Sequence, residues 1–172
     1  MRYYEIMNLK ESQIQEIYVQ HEQDPGITFS NYQNYSKYNL IKETDNFKFY
    51  IEDHGDIIYF IVEDVDTSTT VSVLCIQHED HLYKIFGSKT EIGFQSKGLM
   101  SSNIELAVEK YGCILSDSSQ SSSAMNMWKK LLSNTRYNPV VYDTENNTFI
   151  KYDSRYDDDI WDDGRYLVGI KK

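Results

Sequence analysis

The segment from residue 89 to residue 132 constrains the fold more than any other part of the chain. KTEIGFQSKGLMSSNIELAVEKYG (89–112) predicts a strand that ends near Phe94, a loop that carries Gly98, and a helix over Leu99 to Tyr111 that Gly112 closes. CILS (113–116) is a short apolar run of the kind that is buried on both faces of a sheet. A helix between two such strands is the pattern of a parallel crossover connection.

A serine-rich run begins at the end of this strand, and such a run is also typical of a linker between domains. Six serines lie between Ser116 and Ser123, and Asp117 and Gln120 have the spacing of a capping box. Apolar residues then recur at helical intervals up to Leu132. Serine is favoured at helix starts, where its hydroxyl accepts from an orphan backbone N–H. The run is therefore predicted to connect a strand to a second helix within one domain.

Strand-like runs surround this central segment on both sides. Before it stand FKFYIED (47–53), DIIYFIVED (56–64), VSVLCIQ (71–77) and LYKIFG (82–87), with reversals at His54-Gly55 and at HEDH (78–81). After it, PVVYD and NTFIKYD predict a hairpin around residues 144–146, and RYLVGI predicts a closing strand. At the N-terminus we expect a strand over 2–7, a helix over 8–21 and a loop with a short helix over 23–39.

The element order predicts an α+β fold. We expect a mixed, mostly antiparallel central sheet with helices on both faces, and a single domain over residues 1–172. The formal net charge of −10, without a cluster of basic residues, argues against nucleic acid as the main partner. Cys75 and Cys113 lie in apolar runs and are expected to be buried, reduced thiols. No run is long enough for a membrane span and no secretory signal is visible, so we expect a cytoplasmic protein.

Two connections in this order resemble those of the GNAT superfamily of acyl-CoA N-acetyltransferases. FQSKGLM (94–100) is similar to that family's Q/R-x-x-G-x-G/A loop, with Met100 in place of the last small residue. The second helix resembles the family's last helix, with Ser121 and Trp128 at the asparagine and tyrosine positions. KGLM followed by SDSSQSSSAMNMW resembles a group of GNAT-like proteins of bacteriophages. The resemblance implies acetyl-CoA as cofactor, held by these residues: Phe94, Gln95, Ser96, Lys97, Gly98, Leu99, Met100, Ser121 and Trp128.

The departures from the family pattern bear on catalysis. Many members use a tyrosine at the Trp128 position to protonate the CoA thiolate, which tryptophan cannot do. Glu91, before the loop, and Asp117, after the next strand, are candidates by position for the base that takes the amine's proton. Each carboxylate also has an ordinary interpretation, as a surface group or a helix cap. Ser102 and Glu105 form a capping box of their own, which would start the helix too late to hold a phosphate beside Gly98.

Two functions therefore stay open at this point. The first is an acetyl-CoA-dependent N-acetyltransferase acting on an unidentified primary amine, of a small molecule or a protein. The second is a catalytically inactive phage protein of the same fold that binds or inhibits a host protein in the host cytoplasm. No metal site is expected, since HEDH (78–81) and the acidic stretch 153–166 lack ligand spacing. The acidic stretch would instead attract a cationic acceptor. The oligomeric state stays open, a homodimer included.

Overall fold

The described residues form a central sheet of nine strands in the order β1-β2-β3-β4-β5-β6-β9-β7-β8. The computed structural model describes residues 27–156, 160–161 and 164–172, so the strand and helix expected over 2–7 and 8–21 lie outside the described residues. The strands are β1 Asn39–Glu43, β2 Phe47–Asp53, β3 Ile57–Asp64, β4 Thr69–Glu79, β5 Leu82–Thr90, β6 Cys113–Leu115, β7 Asn138–Asp143, β8 Thr148–Lys151 and β9 Tyr166–Lys171. Two α-helices lie wholly within the described residues, α1 Leu99–Tyr111 and α2 Ser122–Leu132.

The strands from β2 to β5 form the antiparallel meander that the sequence predicts. Alternate residues of β2 and β3 share a face, and the pairs Phe49–Val62 and Ile51–Phe60 point into the core. Gly55 has φ of 86° in the first reversal, a conformation that glycine adopts without a Cβ penalty. This register places the side chains of each strand and fixes where β5 ends.

The parallel crossover is confirmed. Strand β5 leads through α1 to β6, and β6 pairs with β5 in the parallel direction at Lys84 and Leu115. All other strand pairs that the structure describes are antiparallel. The sheet is therefore mixed and mostly antiparallel, and the fold class is α+β as predicted.

Helical segments cover both faces of the sheet. Helices α1 and α2 contribute to one core cluster, which includes Phe60, Ile104, Trp128 and Val168. On the opposite face lie two 3₁₀ helices, Phe29–Tyr32 and Tyr35–Lys37, in the segment predicted as loop with a short helix. Aromatic contacts hold this segment to the sheet: the ring centroids lie 5.4 Å apart for Tyr32 and Tyr59, and 5.2 Å apart for Tyr35 and Tyr50.

Several local predictions were wrong. Strand β5 ends at Thr90 rather than near Phe94, because residues 92–97 form a 3₁₀ helix. The Ser102–Glu105 capping box does not start α1, since the Ser102 N–H already donates to the Gly98 carbonyl at 3.0 Å. Asp117 and Gln120 do not cap α2 either, because its N-cap is Ser121.

Strand β1 was not predicted at all. It is an edge strand whose five residues are all exposed, and its register shifts between Leu40 and Lys42. A strand without a buried face has no alternating apolar pattern from which it could be recognised.

Neither cysteine forms a disulfide with another described residue; Cys75 is buried as predicted, whereas Cys113 is half-buried. Within the described ranges, no helix has the length and apolar character needed to cross a membrane.

Candidate functional site

Strands β5 and β6 separate soon after they begin, and the gap between them is the first element of the site. They pair at Lys84 and Leu115, whereas β5 stays paired with β4 as far as Thr90. Strand β6 follows β9 instead, and the Ser116 N–H continues that ladder by donating to the Val168 carbonyl at 2.7 Å. We call this gap the wedge and define it by residues 85–90 on one side and 116–117 on the other. Its β5 side has no hydrogen-bonded neighbour strand among the described residues.

A β-bulge lies on the β5 side of the wedge. Cys75 pairs with Gly87 while Ile76 pairs with Ile85, so Phe86 is the extra residue. Its side chain is 64% exposed, which is unusual for a phenylalanine inside a strand. A bulge leaves one residue without its ladder bonds and bends the strand locally. Gly87 adjoins the bulge within the strand, and a glycine inside a strand often marks a bulge, so LYKIFG contains a signal that the prediction of a regular strand did not use.

The loop after β5 turns directly into the N-terminus of α1. The 3₁₀ helix Ile92–Lys97 ends at Gly98, which has φ of 72° and ψ of 14°, and α1 begins at Leu99. A Cβ placed on Gly98 would meet no heavy atom within 4 Å, so the space beside this glycine is open. The first backbone N–H groups of a helix have no intrahelical acceptor and carry partial positive charge. The corner can therefore receive an anion.

Side chains around Gly98 either support the loop or carry charge. The Lys97 ammonium lies 4.4 Å from the centre of the Phe94 ring and 5.6 Å from that of Phe47. The Gln95 amide donates to the Thr90 carbonyl at 3.4 Å and ties the loop to the strand end. Of the remaining predicted residues, Ser96 is exposed, Met100 half-buried and Leu99 buried among Phe49, Val62 and Val71.

The two residues predicted from the second helix have structural roles. The Ser121 hydroxyl accepts from the Ala124 N–H at 3.2 Å and caps α2. Trp128 is 1% exposed in the main core cluster. A side chain buried to this degree stabilises the helix against the sheet.

Asp117 is the titratable group closest in sequence to the end of β6. It is half-buried, and burial raises the pKa of its carboxyl to about 6. The preceding Ser116 is fully buried: its hydroxyl donates to the Asp117 carbonyl at 3.0 Å and accepts from the Val168 N–H at 3.2 Å. Ser116 thus fixes the backbone that carries Asp117. No motif in the sequence indicates this role.

The two predicted catalytic carboxylates lie at different distances from the point where β5 and β6 separate. Asp117 is two residues past Leu115, and Glu91 is seven residues past its partner Lys84. At the rise of a strand, Glu91 therefore lies about 15 Å farther along than Asp117, on the exposed N-cap of the 3₁₀ helix. They cannot both act on one reacting atom, and Asp117 is the one beside the point where the strands part.

Among the solved structures that match this chain are two acetyltransferases. One is the ribosomal-protein-S18-alanine N-acetyltransferase from Escherichia coli, with 9% identity and a TM-score of 0.40, covering 94% of this chain and 88% of that one. The other is a putative GNAT-family acetyltransferase from Bacteroides thetaiotaomicron, with 11% identity and a TM-score of 0.40, covering 95% and 85%. No family model and no curated protein matches the chain. At these values the likeness does not assign a family, so a function has to be argued from the residues of the site.

Proposed function

We propose that this protein is an acetyl-CoA-dependent N-acetyltransferase that acts on a primary amine. One observation carries the proposal: an open, positive-φ glycine stands at the start of α1, directly beside a wedge in the central sheet. A glycine in this conformation lets a ligand approach the backbone closely, and the adjoining helix N-terminus favours linked phosphates. The residues present thus fit the diphosphate of coenzyme A.

The roles of the individual residues follow from their positions. The backbone N–H groups of Leu99 and Met100, with the Lys97 ammonium, would hold the diphosphate. The unpaired edge of residues 85–90 offers backbone hydrogen bonds to an extended arm lying in the wedge. When bound, acetyl-CoA supplies an acetyl group that is activated as a thioester. The contribution of this chain is then to position that group and to polarise it with backbone N–H groups.

Asp117 is the residue that we assign to proton transfer. An amine attacks only as the free base, so a nearby group must take up its proton. A carboxyl with a pKa of about 6 is ionised at neutral pH and still basic enough for this step. Glu91, in its exposed position farther along, would act on the acceptor by charge rather than as the base. The net charge of −10 likewise favours a cationic acceptor.

A second function stays a candidate because of Trp128. Its indole is 1% exposed, so the position at which many family members have an acid is occupied by a core residue. A protein of this fold without that acid could act as a binding or inhibitory module on a host protein. The acidic surface is compatible with that use as well, and cytoplasmic location is expected in both cases.

A coupled assay separates the two functions. Release of free CoA thiol from acetyl-CoA would be measured with a panel of primary amines for the wild type, Asp117→Asn and Asp66→Asn. Asp66 is an exposed carboxylate in the turn between β3 and β4 and serves as the matched control. We expect Asp117→Asn to lower kcat/KM about 100-fold and Asp66→Asn to leave it unchanged.

The pH dependence of acetyl transfer tests whether Asp117 acts as the base. The base is active as the carboxylate, so wild-type activity should rise with pH through about 6, and Asp117→Asn should lose this limb. Acetyl-CoA binding without turnover of any amine would favour the binding module. Equal profiles in the wild type and Asp117→Asn would remove Asp117 from the mechanism.

A further inference from the structure

A cavity of about 200 Å³ lies at the opposite end of β5 from Gly98. Leu82 at the start of β5 and Cys113 at the start of β6 line it, together with Leu115 and Phe149. Leu82 and Thr90 are the two ends of a nine-residue strand, so this cavity and the loop after β5 lie about 25 Å apart. We call it the β5-start cavity. Nothing in the proposed acetyl transfer uses it.

One wall of the β5-start cavity is a rigid aromatic stack. Tyr83 and Tyr111 line the cavity, and their ring centroids lie 4.5 Å apart with 24° between the ring planes. His78 stacks on the other side of Tyr83 at 4.2 Å and 5°. The Tyr111 hydroxyl donates to the Asp53 carboxylate at 2.8 Å, which fixes the end of the stack. A wall held from both sides needs little reordering when a ring packs against it.

The floor of the cavity depends on a glycine in β9. A Cβ on Gly169 would lie 2.6 Å from the Ile114 carbonyl oxygen and 2.7 Å from Leu115 Cδ2. The missing side chain therefore lets β9 and β6 approach closely. Leu115 stays buried at 1% exposed and forms an apolar surface. Phe149, 48% exposed on β8, borders the same space.

The charges at the cavity are basic, in contrast to the chain as a whole. Lys171 and His81 line it, and no carboxylate pairs with Lys171 in the part of the chain that the structure describes. The next residue, Lys172, does have a partner, because its ammonium lies 2.6 Å from the Glu109 carboxylate. In a protein with 27 acidic and 17 basic residues, an uncompensated lysine at an apolar cavity suits an anionic ligand.

We propose that the β5-start cavity binds a small planar carboxylate, with its ring against the edge of the Tyr83–Tyr111 stack and beside Phe149, and its carboxylate towards Lys171. The volume accepts a single ring and excludes a nucleotide. The cavity lies at the other end of β5 from the Gly98 loop, and the proposal does not depend on the proposed function.

Cys113 provides a direct readout, because the chain has two cysteines and Cys75 is buried. Alkylation of Cys113 by iodoacetamide would be followed by mass spectrometry in the presence of benzoate, with benzamide as the uncharged probe of the same shape. At a benzoate concentration about four times its Kd, alkylation of Cys113 should slow about fivefold, whereas benzamide should protect little. Lys171→Met should remove the protection by benzoate, and Lys172→Met should retain it.

Two results would overturn the proposal. One is equal protection by benzoate and benzamide in the wild type, which needs no variant and so does not depend on the folding of a mutant. The other is unchanged protection by benzoate in Lys171→Met with a circular dichroism spectrum like that of the wild type.

Discussion

The two ends of β5 illustrate two ways in which the same strand can build a site. At its C-terminal end the strand separates from β6, and the features offered are backbone groups: an edge with no neighbour strand among the described residues, a bulge at Phe86 and a positive-φ glycine. At its N-terminal end β6 is paired with it, and the features offered are side chains: a stack of rings, an apolar floor and a lysine. The first end is suited to phosphates and amides, the second to a small apolar anion.

The separation of β5 from β6 and the close approach of β9 to β6 have different causes in this fold. Strand β6 separates from β5 because β6 stays hydrogen-bonded to β9 through Ser116, while β5 stays hydrogen-bonded to β4. Strand β9 approaches β6 closely because Gly169 places no Cβ between the two strands. Gly169 is next to Val168, the partner of Ser116, so a change at Gly169 acts on both features, whereas a change in the aromatic stack at Tyr83 and Tyr111 should leave the Gly98 loop intact.

The largest change in the free energy of unfolding is expected for Gly169→Ala. The added methyl group would meet a backbone oxygen at 2.6 Å, so strands rather than a flexible side chain would have to move. We expect a loss of about 3 kcal/mol in the free energy of unfolding, measured by urea denaturation. The control is Gly93→Ala, where a Cβ meets nothing within 4 Å, with an expected change of less than about 0.5 kcal/mol. Equal stability of the two variants would mean that Gly169 does not hold β6 and β9 together.

A smaller effect is expected from Tyr111→Phe, which removes only the hydroxyl that donates to Asp53 at 2.8 Å. The loss should be about 1 kcal/mol of unfolding free energy, because the bond is to a charged acceptor in a half-exposed position. Tyr142→Phe is the matched control, since its hydroxyl donates to the neutral Asn147 amide at 3.1 Å in an exposed hairpin. Acetyl-CoA binding should be the same in both variants. Weaker binding in Tyr111→Phe would show that the two ends of β5 are coupled.

Much of the fold could be predicted from the sequence because local signals and tertiary structure agree there. Helix α1 has the predicted bounds, Leu99 to Tyr111, since its apolar spacing and Gly112 both mark it. Strand β2 also has its predicted bounds, because it is a short run of mainly aromatic and apolar residues whose centre, from Phe49 to Ile51, is buried on both faces. The parallel pairing of β5 and β6 followed from the helix between them.

The remaining features depend on contacts distant in sequence. The bulge at Phe86 is a matter of register against β4, and the Ser116 bonds involve Val168, 52 residues away. The raised pKa of the Asp117 carboxyl results from its burial in the folded chain, which no sequence motif indicates. The capping boxes at Ser102 and Asp117 were plausible locally, but Gly98 and Ser121 occupy the N-cap positions in the structure. Local patterns thus located the loop and the helix, while tertiary pairing determined their chemistry.

The most direct test of the central claim is isothermal titration of acetyl-CoA into the wild type, Gly98→Asp and Gly98→Asn. Asparagine has nearly the same shape as aspartate and the same tolerance of positive φ, so the pair isolates the effect of a negative charge at the corner. We predict binding to the wild type that Gly98→Asp weakens by about 2 kcal/mol more than Gly98→Asn does, roughly 30-fold in Kd. Gly93→Asp, with the same charge five residues earlier in the loop, should bind more tightly than Gly98→Asp. Equal affinities for the aspartate and asparagine variants at residue 98, or no binding to the wild type, would contradict a phosphate site at the start of α1.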